Sequence, residues 1–408
     1  MRVAEHTGKS RPQDMSSFQK IILAFLSVLA IVLFALAFWL YSGTWNQPLG
    51  PSLQLVTTTP FQMPPTWTPQ SVSVALPTSE GEHATNTTIA EPASPIVPVP
   101  TSQPPTGLCG GPPVMQILAV GSDARGDHYN YGLADVIRLV RVDFVNPRVT
   151  VLEFPRDLWV EIPDISDNIN GQDHEKLNQA YLYGNRGFGY TDDPAQGPGL
   201  LARTLTLNFG TDIDHYAAVN MRTFEKIIDT LGGIDVTLPE PVDGRTAEDT
   251  NKRLLFEDGT HHLNGTQALT LARIRIAGTF ARADNQNRVL CALRDKLVSP
   301  DVITKIPQLI TSFQDAIQTD LSPAQLGQLA CIGTQLGSGD IAFAGFPQEH
   351  FKATRIYDPV FKGRTFIWDV DFNILREYVA RFNQGTWPPV NGAPEEAGEN
   401  QEGIPFCP

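Results

Sequence analysis

Residues 21 to 41, "IILAFLSVLAIVLFALAFWLY", carry no charged side chain, and this run limits what the chain can become more than any other feature. As a helix rising ~1.5 Å per residue it would be about 31 Å long, the thickness of a bilayer's hydrocarbon core. Trp39 and Tyr41 stand at one end, where interfacial aromatics sit. Arg2, Lys9, Arg11 and Lys20 precede the run, against only Glu5 and Asp14. The positive-inside rule therefore expects a single-pass protein of the cell membrane, with residues 1–20 as a cytoplasmic tail and the C-terminal domain extracellular. A cleaved signal peptide is the competing reading. The run is long for one, and no small-residue cleavage site follows it directly.

Residues 44–107 are a different material. They hold 13 of the 33 prolines, many Ser and Thr, and no Lys or Arg. Such a segment buries too little apolar surface to fold alone, so it is expected to be a stalk, with ends roughly 45 Å apart as a flexible coil. The folded domain is expected over 108–388 and a loose, Gly-, Pro- and Glu-rich tail over 389–408. The net charge of -14 leaves no general basic face for nucleic acid. The four cysteines, Cys109, Cys291, Cys331 and Cys407, allow three pairings outside the membrane. Because Cys109 and Cys407 bracket the domain, Cys109–Cys407 with Cys291–Cys331 is the favoured one.

Within the domain, "VMQILAV" (114 to 120) is an apolar run closed by Gly121 and reads as a buried strand. "ADVIRLVRVDF" and "RVTVLEF" flank Asn146-Pro147 and read as a hairpin. Phe224, Ile227, Ile228 and Leu231 share a helical face ahead of Gly232-Gly233, which can take the left-handed C-cap. Asn264 and the Ser322-Pro323 pair are helix starts. A helix is expected over 281–298, and Leu375, Tyr378, Val379 and Phe382 are spaced for a last one. Strands and helices mix throughout, which predicts the α/β class: a layered α-β-α sandwich around a mixed central sheet.

"GSDAR" (121 to 125) follows the first strand directly, where ligands bind in open α/β sheets. That places Asp123 and Arg125 at a site, and Asp135 starts the next strand. Two carboxylates at one sheet end can share Mg²⁺ (or Mn²⁺), with phosphate oxygens completing the shell; each alone could equally be a turn cap. Residues 272–296 concentrate Arg273, Arg275, Arg282, Arg288, Arg294 and Lys296 against Asp284 and Asp295. A helix there brings Arg282, Asn285 and Gln286 to one side. The stretch "VTVLEFPRDLWVEIP" (149 to 163) interrupts apolar residues with Arg156-Asp157, so Arg156 is either a structural clasp or a ligand clamp. With Arg273, Arg275 and Arg282 it would make an anion clamp beside the Asp123–Asp135 metal site, which is equipment for phosphoryl transfer. No P-loop, G-x-S-x-G elbow, H-E-x-x-H or Cys-x-x-Cys occurs.

Taken in order, "ILAVGSDAR", "ADVIRLVRVD", "VTVLEFPRDLWVEIP", "KLNQAYLYG", "IDHYAAVNMRTFEKIIDTLGGIDVTLP", "LNGTQALTLARIR" and "FARADNQNRVLCAL" resemble the LytR-CpsA-Psr family of membrane-anchored cell-wall transferases. The resemblance implies a phosphotransferase that moves a glycopolymer from a polyprenyl-pyrophosphate carrier to a cell-wall acceptor hydroxyl. It implies that Arg156, Arg273, Arg275, Arg282 and Gln286 hold the pyrophosphate and that Asp123 and Asp135 bind Mg²⁺, one of them serving as base. The chain departs from the pattern at Leu133, at Thr279-Phe280, and at Asn285 and Asn287. The rival readings are a non-catalytic polyprenyl-phosphate lipid-binding or envelope-regulatory protein, and a pyrophosphatase.

Overall fold

The computed structural model describes residues 17–55, 107–126, 128–275, 279–303, 316–389 and a few single positions, Cys407 among them. The segment expected to be a cytoplasmic tail and most of those expected to be stalk and C-terminal tail lie outside the described residues. Helix α1 (Ser17–Trp45) holds the uncharged run. Its side chains are described only in part; over 25–35 the large apolar ones, from Phe25 to Phe34, are exposed. Among the described residues no helix is long and apolar enough to cross a membrane.

The centre is a six-stranded mixed sheet. In chain order its strands include β1 (Val114–Ser122), β2 (Ala134–Asp143) and β3 (Arg148–Glu153). Side chains alternate along β1. Leu118 and Val120 enter one core, Met115 and Ile117 the opposite one. The short strands β4 (Trp159–Glu161) and β5 (His174–Lys176) pair beside the sheet. Helices α2 (Leu177–Gly184) and α3 (Gln196–Phe209) then cover the Leu118 face, and Gly210 at φ 70 closes α3.

Strand β6 (His215–Asn220) returns parallel to β1. Asn220 caps α4 (Met221–Thr230) by accepting the Thr223 N–H. The hairpin partners β7 (Ile234–Leu238) and β10 (Gly259–Leu263) flank the short pair β8 (Val242–Asp243) and β9 (Leu255–Phe256). Asn264 and Gln267 form a capping box on α5 (Gly265–Arg273), which leads to α6 (Thr279–Leu297) and one turn, α7 (Pro300–Ile303). Strand β11 (Gln318–Thr319) edges the sheet, and Ser322 with Pro323 starts α8 (Pro323–Gln335). Strand β12 (Ile341–Ala344) completes the order β11-β6-β1-β2-β3-β12. The hairpin β13 (Lys352–Asp358) and β14 (Gly363–Asp369) precedes α9 (Phe372–Asn383), which buries Leu375, Val379 and Phe382 as the spacing predicts. With α6 and α8 behind the Met115 face, the layering is the expected α-β-α.

Two features differ from expectation. The first is the start of the segment read as a stalk. Leu49 N–H donates to the Leu321 carbonyl at 3.3 Å, the Tyr216 hydroxyl donates to the Pro51 carbonyl at 3.0 Å, and Leu53 and Leu55 rest on the main core. Residues 46–55 therefore rest on the domain instead of leading away from it. The second is the disulfide pairing. Cys109 pairs with Cys331 and Cys291 with Cys407, so the expected Cys109–Cys407 and Cys291–Cys331 are corrected. The bracketing argument ignored packing. Cys109 sits in the core under α8, which carries Cys331, whereas Cys291 on α6 and Cys407 share a separate apolar cluster with Leu336, Ile341 and Phe343.

Candidate active site

The antiparallel ends of β1 and β2 build the first half of the site. Ser122 pairs with Ala134 and Gly121 with Val136, so Asp135 is the extra residue of a β-bulge. Bulges re-aim a side chain, and this one does so at the rim of the sheet. Asp123 sits one residue past β1. Its N–H donates to the Leu133 carbonyl at 3.1 Å, and its Oδ1 accepts the Leu133 N–H at 2.6 Å. Gly132 allows this approach, because a Cβ there would lie 2.7 Å from that of Ala124.

The turn after β3 supplies the second half. Phe154 is buried against Phe209 and Phe346 and anchors the turn. Leu158 N–H closes it on the Pro155 carbonyl at 3.3 Å, which projects Arg156 and Asp157. Arg156 Nη1 donates to Asp135 Oδ1, and its Nε reaches Asp157 Oδ2 at 3.4 Å. Lys176 Nζ donates to the other Asp157 oxygen at 3.0 Å, and Trp368 N–H to the Asp157 carbonyl at 3.1 Å. Asp157 is therefore the clasp that holds this turn against β5 and β14. Arg156 itself joins Asp135 to Asp157, so its guanidinium bridges the bulge of β2 and this turn.

Arginines from α5 and α6 close the site. Arg275 Nη2 approaches Asp135 Oδ2 at 3.6 Å, so one carboxylate stands between Arg156 and Arg275. Arg282 is 5% exposed, its Nε has no partner, and among the described residues it has neither hydrogen bond nor ion pair. Its pKa is pushed below the ordinary arginine value, chiefly by burial and then by the positive charges of Arg275 and Arg156. Arg275 is lowered for the same reasons, burial first and Arg156 next. Arg273 is exposed on α5 and Arg125 is exposed beyond β1. Gln286 is turned inward: its Oε1 accepts from Arg138 at 3.3 Å and its Nε2 donates to the Ala272 carbonyl at 3.3 Å.

Arg138 was not singled out from the sequence. It is 2% exposed, in the middle of β2 on the α6 side. It donates to Glu153 at 2.7 Å and to Asn287 at 2.7 Å, and it lies over the Phe343 ring at 5.7 Å. The available signal was a charge set among Val136, Ile137, Leu139 and Val140. Glu175 on β5 was missed too. It is fully buried with both carboxyl oxygens unpartnered, and its pKa is pushed up to about 7, first by burial and then by Asp358.

Two carboxylates on neighbouring strand ends are hard oxygen donors of the kind Mg²⁺ takes. Asp123 keeps Oδ2 unused among the described residues, while Asp135 is shared by two arginines. Among the described residues no group of three His, Cys, Asp or Glu gathers to hold a metal. The pair thus fits a cation that draws the rest of its shell from phosphate or water.

Residues 112–362 match the LytR_cpsA_psr family model. The chain is 29% identical over 219 residues to the regulatory protein MsrR of Staphylococcus aureus (strain COL), covering 52% of this chain and 58% of that protein. It is 30% identical over 208 residues to the polyisoprenyl-teichoic acid–peptidoglycan teichoic acid transferase TagV of Bacillus subtilis (strain 168), covering 50% of this chain and 49% of that protein. The alignment thus spans about half the length of the curated relatives. The crystal structure of B. subtilis TagV superposes with a TM-score of 0.51 at 25% identity, over 67% of this chain and 96% of that one. With a family match that takes in the bulge, the Pro155-Arg156-Asp157 turn and the arginines of α5 and α6, the chain belongs to the LytR_cpsA_psr family.

Proposed function

We propose that the protein is a phosphotransferase that moves a glycopolymer from a polyprenyl-pyrophosphate carrier to a hydroxyl of a cell-wall polymer. Arg282 carries this reading: a buried cation that forms no ion pair among the described residues, set beside Arg275 and Arg156. Burying an unpaired ion costs several kcal/mol, and an arginine cannot shed the cost by losing its proton. An anionic ligand with several oxygens removes the cost, and a pyrophosphate fits the forked donors of three guanidiniums.

In this reading Arg156, Arg275 and Arg282 hold the two phosphates, with Arg273 and Arg125 at the open edge. The acceptor oxygen forms a bond to the sugar-side phosphorus as the bridging P–O bond breaks. Polyprenyl phosphate leaves, its new charge stabilised by the arginines. The Asp123 oxygen left free takes the acceptor's proton. Mg²⁺, when held by Asp123 and Asp135, would supply Lewis-acid polarisation of the phosphoryl oxygens. Gln286 acts from behind by fixing α6. The uncharged run 21–41, part of whose side chains lie outside the described residues, would be the single-pass anchor, about 31 Å long as a helix at ~1.5 Å per residue, with the domain on the outer face.

A second reading, a lipid-binding or hydrolytic protein, is favoured by Leu133, an apolar residue hydrogen-bonded through its backbone to Asp123. A product assay separates the two. The full-length protein is given polyprenyl-pyrophosphate-linked glycan, Mg²⁺ and a wall acceptor. The account expects a phosphodiester product, with Arg275→Ala at least about a hundredfold slower. Free glycan phosphate alone would establish hydrolysis, and an unchanged donor would establish binding only.

A further inference from the structure

A cavity of about 510 Å³ opens beside Asp123, and of the arginines at the site only Arg125 is in its lining. Asp123, Arg125, His128, Asn130, Tyr131 and Leu133 are among its lining residues. The loop that forms it is pinned at two points. The buried side is held by the Tyr129 hydroxyl, which donates to the Ala316 carbonyl at 2.7 Å and accepts the Asn220 N–H at 3.0 Å. The other side is held by the Gly187 N–H, which donates to the Asn130 carbonyl at 3.1 Å.

Tyr131 is 62% exposed, yet its ring has a prepared seat. Gly187 has no side chain where the ring lies; a Cβ there would be 2.5 Å from Cε1. Phe188 meets the ring edge to face at 6.0 Å and is itself braced by Tyr183 and Tyr190. Around this platform the side chains of Arg125, His128 and Asn130 form no hydrogen bond or ion pair among the described residues. A rigid exposed ring beside uncommitted hydroxyl-binding groups suits the apolar face and the hydroxyl rim of a sugar. A second phosphate suits it less, because Arg125 is the one arginine in the lining and Asp123 stands beside it.

We propose that this cavity is the acceptor subsite and takes a neutral oligosaccharide, one sugar stacked on Tyr131 and a hydroxyl directed at Asp123. This rests on the transferase reading and assigns two sets of residues different work: Arg156, Arg275 and Arg282 for the donor, the Tyr131 platform for the acceptor.

The test uses the full-length protein in detergent micelles and two probes. One is an oligomer of N-acetylglucosamine, a neutral glycan, and the other is inorganic pyrophosphate. Saturation-transfer NMR and titration should show the glycan on the parent and on Tyr131→Phe. Tyr131→Ala should bind it about tenfold more weakly, the worth of a good aromatic contact. Asn130→Ala, which keeps the ring, should also weaken it, and pyrophosphate affinity should stay level in Tyr131→Ala. Equal glycan affinity in the parent and Tyr131→Ala, or no glycan binding at all, overturns the proposal. So does a loss of pyrophosphate in Tyr131→Ala, which would give the cavity to the donor. The transferase reading fails on a different result, pyrophosphate binding that Arg275→Ala leaves intact.

Discussion

Two arginines are almost equally hidden in this molecule and have opposite surroundings. Arg138, 2% exposed, gives hydrogen bonds to Glu153, Gln286 and Asn287 and lies against Phe343. Arg282, 5% exposed, faces other arginines and has no partner among the described residues. Burial alone does not say whether a charge belongs to the scaffold or to a ligand; the partners do. The Arg138 charge is satisfied by Glu153, although its Nε, like that of Arg282, has no partner among the described residues, so this network contributes to holding α6 on the sheet. The desolvation of Arg282 is offset among the described residues only by the more distant charges of Asp135 and Glu153, which burial and the neighbouring arginines outweigh, so it is a preformed demand for an anion.

Breaking the satisfied member should give the largest effect. Arg138→Met leaves Glu153, Gln286 and Asn287 without their common donor and should cost about 3 to 4 kcal/mol in chemical denaturation. Arg138→Met combined with Glu153→Leu should recover a good part of that loss. A loss below about 1 kcal/mol would mean that the network is not what fixes α6.

Glu175 sharpens the contrast from the acidic side. It is also buried with no well-formed hydrogen bond among the described residues, although Asp358 on β13, the backbone of Lys176 on its own strand and Tyr183 on α2 face it. Unlike Arg282 it can relieve the cost by keeping its proton, which is why its pKa rises from 4.5 to about 7. The sign follows. Between those values the folded state binds more protons than the unfolded, so stability falls as pH rises from about 4.5 to about 7 and then levels off. The fall should be on the order of 3 kcal/mol, and Glu175→Gln should flatten that slope and be the more stable variant at pH 8. A parent whose stability rises through that window would show that the carboxyl is paired.

Much of this was legible in the sequence, for local reasons. The hairpin about Asn146-Pro147, the caps at Asn264 and Ser322, and the last helix follow from period and turn chemistry. Asp123, Asp135 and Arg156 could be located because strand ends and an interrupted apolar run are visible in one dimension. What was not legible depends on contacts across the chain. The role of Arg138 needs Glu153 from β3 and Asn287 from α6. The disulfide partners follow from which apolar cluster each cysteine joins. Residues 46–55 have the composition of a linker, yet they rest on the domain through backbone and hydroxyl groups that composition does not register.

The smallest expected stability change belongs to the residue with the largest expected functional one, and measuring both on one variant tests the account most directly. Arg282→Met removes a buried charge with no partner and fills similar space. It should fold with a denaturation free energy within about 1 kcal/mol of the parent, or above it. Its affinity for polyprenyl pyrophosphate should fall roughly a hundredfold, the loss of a charge-assisted bidentate contact. An Arg282→Met protein destabilised as much as Arg138→Met, whose folded fraction still binds polyprenyl pyrophosphate as tightly as the parent, would contradict the account and make Arg282 part of the scaffold.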